Sequence, residues 1–500
     1  MNFLQLLDGA EVLAQTGNPE IKGVEYDSRQ VKPGDVFLAM RGESSDGNQY
    51  IDQAIAAGAV AVISDSVAEA RENIAWAQVA HGRRALARVS ANFYKRPAER
   101  LAITGITGTN GKSTTAFILE SILTAAERKT ALVGTIEYHV AGKIVPAPHT
   151  TPEALELNRL FAKALGQGTT EVVMEVSSHA LEQQRVFGVP FDVAVFTNLT
   201  RDHLDYHRTM EDYFAAKRGL FEGCGAERPR AAVLNADDQY GEKLQQISRG
   251  HGSRVFRYGI GLGDVRAQHV EISPQGTKFT LTGLGSPLDI CSPLIGKVNV
   301  YNILAAATAA HARGCEPEQI VAGVAALRRV PGRFERVDCG QPFTVVIDYA
   351  HTDDALRNLT SLARDFVRHG RVLTVFGCGG DRDRSKRPLM GEAAGQGSDL
   401  VVLTSDNPRS EDPLAIMNDA LVGVQRSGTK YRTQPDRRAA IAMAIQEARA
   451  GDIVLIAGKG HEKVQIISSG PIPFDDVEVA RQVLAAAGYE CGTIAAGLAR

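Results

Sequence analysis

Residues 101–107 read Leu-Ala-Ile-Thr-Gly-Ile-Thr, and the chain continues Gly108-Thr-Asn-Gly-Lys-Ser-Thr114 before an apolar run over 116–126. The first segment is short, apolar and β-branched, the pattern of a buried strand. The last has the length and composition of a helix. A glycine loop with lysine and serine at a strand–helix junction is what a phosphate cradle requires. Gly108 and Gly111 let backbone N–H groups approach phosphate oxygens, with Thr109, Asn110 and Thr114 completing the loop. Lys112 supplies a point charge and Ser113 offers a hydroxyl to Mg²⁺. The strict G-x-x-x-x-G-K-[ST] pattern is not met, because Ile106 stands at its first glycine. A plain glycine turn before a helix is the bland alternative. The placement of Gly-Lys-Ser at the junction favours ATP binding, without specifying the reaction.

Outward from this loop, short β-rich runs alternate with Ala-rich stretches, which predicts α/β architecture with mainly parallel sheets. Strands are expected over 35–40, 59–65 and 74–80, then 130–135, 171–176, 193–198 and 231–235, then 345–348, 372–376, 400–404 and 453–457. Helices are expected over 85–94 and 300–312. Breaks at Lys95-Arg-Pro97 and 328–333 divide the chain into units 1–96, 97–330 and 331–500, in line with about three domains for this length.

With 55 basic and 58 acidic residues the formal charge is -3, which gives no bulk electrostatic case for a nucleic-acid or anionic-membrane partner. The start carries Asp8 and Glu11 and has no basic n-region, so it does not read as a signal peptide. No apolar run approaches the roughly 18 residues of a bilayer span. The six cysteines are scattered with no CxxC pair, and read as reduced thiols rather than a disulfide framework or zinc site. These features predict a cytoplasmic protein without membrane insertion.

More motifs follow the loop in order: Glu175-Val-Ser-Ser-His179, Thr197-Asn-Leu-Thr-Arg-Asp-His-Leu-Asp-Tyr-His207, Tyr213-Phe-Ala-Ala-Lys217, Asn235-Ala-Asp-Asp238, residues 296–302 with Asn299 and Asn302, Gly332-Arg-Phe-Glu335 and Asp348-Tyr-Ala-His351. The series resembles the Mur ligases and their folylpolyglutamate synthetase relatives, and it covers nearly the whole chain. The resemblance implies three domains: a small N-terminal α/β domain for a UDP-linked substrate, a central P-loop doubly wound sheet for ATP, and a C-terminal Rossmann-like domain for the incoming amino acid. It implies transfer of the ATP γ-phosphate to a carboxylate, attack by an amine on the acyl phosphate, and release of phosphate, with Lys112 central to the transfer. Glu175 with Ser113, and His203, are implied as ligands of two Mg²⁺ ions. On local sequence alone, Lys217 would sit on the solvated face of a helix over 210–220. The resemblance implies instead a CO₂-derived carbamate on Lys217, an anionic metal ligand. Asn302, Arg333 and Asp348 are implied as ATP contacts, with Arg333 crossing from the third domain. His207 reads equally as a ligand or a structural histidine. Asp237 and Asp238 read as caps of a helix or turn.

Within the family, Tyr26, Ser28, Glu43, Ser44 and Ser45 resemble the uridine-nucleotide contacts of the diaminopimelate- and lysine-adding branch. His149, Thr150, Thr151, Ser177, Gln183 and Arg185 resemble that branch's contacts to UDP-N-acetylmuramoyl dipeptide, though asparagine is usual where His149 stands. Asp406-Asn-Pro-Arg409 resembles the diaminopimelate type. Diaminopimelate carries one carboxylate more than lysine, and an arginine fork such as Arg409 can clamp it bidentately. Gly458 and Glu462 join this set by resemblance, Glu462 as partner of the distal ammonium. Arg382 is the implied partner of a substrate carboxylate, with Arg387 as its competitor. The expectation is thus a monomeric ligase using ATP, meso-diaminopimelate and the UDP-linked dipeptide. A lysine-adding ligase and a non-catalytic P-loop regulator stay open.

Overall fold

The computed structural model describes residues 1–42, 45–67, 71, 73–367 and 369–491, so Glu43 and Ser44 lie outside the described residues. Three α/β sheets follow one another along the chain. The first has the order Val12–Thr16, Ala75–Val79, Ala61–Ser64, Asp35–Ala39, Gly23–Glu25, and is parallel except for its first strand. Its inner strands are apolar on both faces because helix Gly82–Phe93 and neighbouring segments cover them.

The second sheet is the largest. Its parallel middle runs Val265–Ser273, Arg254–Gly259, Ala231–Asn235, Val193–Phe196, Ala102–Thr107, Glu171–Glu175, Thr130–Val133. Antiparallel strands extend it at both ends: Gly276–Thr282 and Leu288–Ser292 on one side, Glu137–Val140 and Lys143–Pro146 on the other. The sheet is therefore mixed, and sequence patterning did not single out these edge strands. Exposed positions interrupt them, as alternate residues of Leu288–Ser292 and most of Lys143–Pro146 show, a weaker signal than a continuous apolar run. Helices Lys112–Ala125 and Lys297–Ala312 share one core with the middle strands. A Cβ at Gly323 would collide with the backbone of Ile122, so glycine lets helix Pro317–Ala326 lie directly against helix Lys112–Ala125.

The third sheet runs Glu335–Val337, Thr344–Asp348, Ile453–Ala457, Val372–Phe376, Leu400–Leu403, Lys430–Thr433, parallel except for its first strand. Its two faces are packed by separate cores. A disulfide joins Cys339 beside this sheet to Cys491, which corrects the expectation of six reduced thiols. Scattered spacing carried no sign of it, because the two positions meet only through the packing of helix Asp476–Ala486. No helix among the described residues is long and apolar enough to cross a membrane.

An internal charge cluster ties the central sheet to its main helix. His139 Nδ1 lies 2.6 Å from Glu120 and Nε2 lies 2.9 Å from Glu137. Burial works against its charge, but the two carboxylates outweigh burial and raise its pKa to about 9. A raised folded-state pKa means stabilisation that is complete below the unfolded value near 6.5 and fades as pH rises through 9. His139→Gln is therefore expected to lower Tm by a few degrees at pH 6, with the gap closing by about pH 10. Equal losses at both pH values in thermal melts would refute this account.

Candidate active site

The phosphate loop leaves the C-terminal end of Ala102–Thr107, at the centre of the parallel strands, where open α/β sheets form their binding crevices. Gly108 has a φ of 149° and a Cβ there would strike Thr197, while Gly111 has a φ of 88° beside Asn302. Both glycines are thus sterically required. Lys112 Nζ folds back onto the carbonyls of Gly108 and Thr109 at 2.9 and 2.8 Å. Asn110, Gly111, Ser113 and Thr114 line a cavity of about 530 Å³ together with Asn302, Arg333 and Asp348. Arg333 enters from beside the third sheet, donates to Ser113 Oγ at 3.2 Å and stacks over Tyr349 at 4.6 Å. Both Asp348 oxygens accept backbone N–H groups, from Phe334 at 2.7 Å and Ala350 at 2.9 Å, so this carboxylate also sets the turn that aims Arg333. Asp237 and Asp238 prove to be caps. Asp238 accepts from Tyr240 N at the start of helix Gln239–Gly250, and Asp237 accepts from the backbone of Ile260, Gly261 and Leu262.

Lys217 is not a surface residue. It is 1% exposed, its Nζ donates to Gly108 O at 3.0 Å, and it sits over the Tyr213 ring. Burial, reinforced by nearby Lys112, holds its amine well below the ordinary lysine range. Glu175, 1% exposed at the end of its strand, accepts from Thr135 N and Oγ1 at 2.8 and 3.0 Å. His203 has a φ of 53°, and desolvation lowers its pKa although Asp202 opposes the shift. Asp202 was not singled out by sequence. It gathers His203 at 3.4 Å, Lys386 at 3.8 Å and His351 at 3.9 Å, the last two from the third unit. Asn110–Asp354 and Arg201–Ser385 hydrogen bonds cross the same boundary. The carboxylate character of Asp202 next to a motif histidine was the available signal, but its partners come from a distant segment. His207 is buried, with Nε2 2.8 Å from Ser178 Oγ, and stacks on Tyr213, the geometry of a structural histidine.

The expected dipeptide contacts Thr151, Ser177, Gln183 and Arg185 come together. Thr151 Oγ1 bonds Glu175 O at 2.9 Å and receives Ser177 N at 3.1 Å. Arg185 donates to Thr151 O at 3.0 Å and to Gln183 Oε1 at 2.7 Å, and lies 2.9 Å from Glu153. Thr150 bonds Thr135, which links this group to Glu175. The exposed His149 gives its carbonyl to Tyr138 OH. Arg83 of the first unit, which sequence did not single out, lies 3.4 Å from Glu153. Tyr26 reaches Glu156 of the second unit at 3.3 Å, and Ser28 donates to Gln53 at 3.1 Å. Ser45 is exposed and accepts Gly42 N through its carbonyl.

In the third unit Asp406, Asn407, Pro408, Gly458 and Lys459 are buried, with Arg409 and Glu462 partly so. Arg409 has a φ of 53°, its N–H bonds Ile466 O at 3.0 Å, and its Nη1 donates to Gly380 O at 2.7 Å. Asn407 Nδ2 donates to Glu462 at 2.9 Å. Arg382 is exposed and bonds Asp381 O. Its competitor Arg387 is 1% exposed and engaged with Glu411 at 2.8 Å and Asp419 at 2.9 Å, which holds the Glu411 carboxyl down at about 2. Arg387 is therefore a structural anchor of helix Lys386–Gly397.

Against known proteins, family models for the Mur ligase catalytic, middle and glutamate ligase domains match residues 20–94, 106–310 and 332–460. A UDP-N-acetylmuramoyl-L-alanyl-D-glutamate--2,6-diaminopimelate ligase of Solibacter usitatus is 56% identical over 481 residues, 96% of each chain. One of the same name from Geobacter metallireducens is 46% identical over 480 residues, 92% of this chain and 93% of the other. A solved structure of a ligase with that name superposes with a TM-score of 0.66 at 34% identity, covering 94% of this chain and 96% of the other. Among the described residues, no group of three or more His, Cys, Asp or Glu is arranged to hold a metal ion.

Proposed function

The chain belongs to the Mur ligase family, and from that premise we propose that it joins meso-2,6-diaminopimelate to UDP-N-acetylmuramoyl-L-alanyl-D-glutamate with cleavage of ATP, a step of peptidoglycan synthesis. The observation that carries the reading is the contact of Arg333 with Ser113 in one 530 Å³ cavity. It brings an arginine of the amino-acid unit to the phosphate loop of the central unit. Catalysis then depends on the units 1–96, 97–330 and 331–500 acting together, the first two on the UDP-linked substrate and ATP.

The glutamyl carboxylate takes the γ-phosphoryl group and becomes an acyl phosphate. The neutral amine of diaminopimelate attacks its carbonyl carbon, and the tetrahedral species expels phosphate. Lys112 and Arg333 offset anionic charge on the transferring group, and the loop N–H groups orient it. Arg185, its Nε–Nη2 edge held by Gln183 and Glu153, supplies a fixed positive charge for a substrate carboxylate. Asn302 and Asp348 shape the nucleotide cavity.

The donor set fits Mg²⁺ on one condition. Ser113 and Glu175 are hard oxygen donors and His203 adds an imidazole, which leaves the site short of anionic oxygen for two ions. Lys217 would remedy this as a carbamate. Its buried amine, held below its ordinary range, is available to add to CO₂ with release of a proton. Mg²⁺, when bound, offsets the crowded phosphate charge.

The test is phosphate release with ATP and the UDP-linked dipeptide, comparing meso-diaminopimelate, L-lysine and no amino acid. Release with diaminopimelate alone, together with the tripeptide product, is the expected result. Release with lysine would overturn the specificity, and release with neither would overturn the ligase reading.

A further inference from the structure

Lys459 is 0% exposed, and its ammonium sits among the residues assigned to the incoming amino acid. Nζ donates to Asn407 Oδ1 at 3.0 Å and to Glu462 Oε2 at 2.9 Å, and lies 3.5 Å from Asp406 Oδ1. A lysine is almost never fully buried unless it is paired. Two of its protons are hydrogen-bonded, and Asp406 Oδ1 adds a charge contact at 3.5 Å without a hydrogen bond. A buried ammonium tied and charge-paired in this way acts as a fixed part of the scaffold.

We propose that Lys459 is a positioning residue for amino-acid selection, which holds Glu462 and Asn407 in the geometry that receives the distal end of the substrate. The inference rests on the ligase reading above. Asn407 shows the mechanism. Its Oδ1 takes Lys459 Nζ and also Ile466 N at 2.9 Å, which fixes the amide orientation and turns Nδ2 onto Glu462. Both of these bonds land on Glu462 Oε2. The carboxylate is thereby held through Oε2, which leaves Oε1 as the oxygen to receive the incoming ammonium on this proposal.

Charge makes the same point. Asp406 and Glu462 place two carboxylates close together, and Lys459 is the cation between them. Without it, Asp406 and Glu462 would repel, and Glu462 would lose its anchor. Arg437 backs the same strand end: it donates to Ala457 O at 3.0 Å and is paired with Asp476 at 2.7 Å, so it is already committed. Arg437 and Arg409 also bring positive charge to Asp406 and Glu462, but it is Lys459 that bonds both Glu462 Oε2 and Asn407 Oδ1 directly. Sequence shows only a lysine between two glycines, with no sign of burial.

The experiment uses steady-state kinetics of the full chain with each substrate varied in turn. Lys459→Met is expected to raise KM for meso-diaminopimelate at least ~30-fold, with KM for ATP and for the UDP-linked dipeptide within about twofold of the parent. Glu462→Gln is expected to behave similarly. The double variant should be no worse than the poorer single one, because both changes break the same contact. A merely structural lysine would lower the active fraction and kcat while leaving the KM values alone, and that outcome overturns the proposal. Additive losses in the double variant overturn it too. Should Lys459→Met fail to fold, Lys459→Gln keeps a hydrogen-bond donor without the charge and is read in the same way. Failure of the parent protein to use diaminopimelate would instead defeat the ligase reading, so the two failures are distinguishable.

Discussion

Lys217→Gln is expected to reduce ligation at least about 10³-fold while leaving the protein folded, at the upper end of losses measured when one preorganised charge-stabilising group is removed. Lys217 lies under the phosphate loop with its Nζ on Gly108 O, in a position where a permanent ammonium would be costly. Lys112 lies nearby and disfavours a second cation. A lysine kept there as a bare cation would work against the site. As a carbamate it would place an anion beside Lys112 and near His203. Glutamine is uncharged and cannot form a carbamate, so it removes the anion while keeping a polar side chain of similar reach. The complementary measurement uses the parent protein. Activity should fall in CO₂-depleted buffer and return on addition of bicarbonate, and ¹³C-bicarbonate should yield a carbamate carbon signal that Lys217→Gln lacks. Full activity of Lys217→Gln, or no response to CO₂, would sink the carbamate.

Local sequence put Lys217 on a solvated helix face, and only the family resemblance pointed to a buried role. Helix Met210–Phe221 buries Tyr213, Lys217, Leu220 and Phe221, a stripe spaced as one helical face. The three apolar members of that stripe are visible in the sequence, and the lysine stands in line with them. The phosphate loop and the parallel strands around it were plain, because a strand buried on both faces reads as a continuous apolar run. Edge hairpins over 265–292 were not, since exposed residues break up their apolar runs. Pairings between distant segments were out of reach altogether. Asp202 meets Lys386 and His351, Arg387 is consumed by Glu411 and Asp419, and Cys339 meets Cys491. Nothing in the spacing of these residues encodes their approach. It is set by how the third sheet docks on the second.

Arg409→Leu is expected to cost about 10²–10³-fold in kcat/KM for meso-diaminopimelate, the range for truncating one partner of a buried, hydrogen-bonded charge pair. Activity with L-lysine should change far less, so the preference between the two substrates collapses. The physical reason lies in what already constrains this residue. Its left-handed backbone, the bond from its N–H to Ile466 and the bond from Nη1 to Gly380 hold the guanidinium in one place before any substrate arrives. Burial lowers its pKa and Arg382 nearby adds to the effect, while Asp406, Glu462 and Asp381 offset it in part, so a substrate carboxylate would find a net cationic fork here. Diaminopimelate brings a distal carboxylate and lysine does not. A pocket built to pair a charge rejects the analogue that lacks it, because the unpaired partner stays buried. Arg409→Lys should recover little, since a point charge on a flexible stem cannot reproduce the fork. Equal losses with diaminopimelate and lysine would mean that Arg409 serves the fold of the turn rather than the choice of substrate, and selectivity would then have to rest on Arg382.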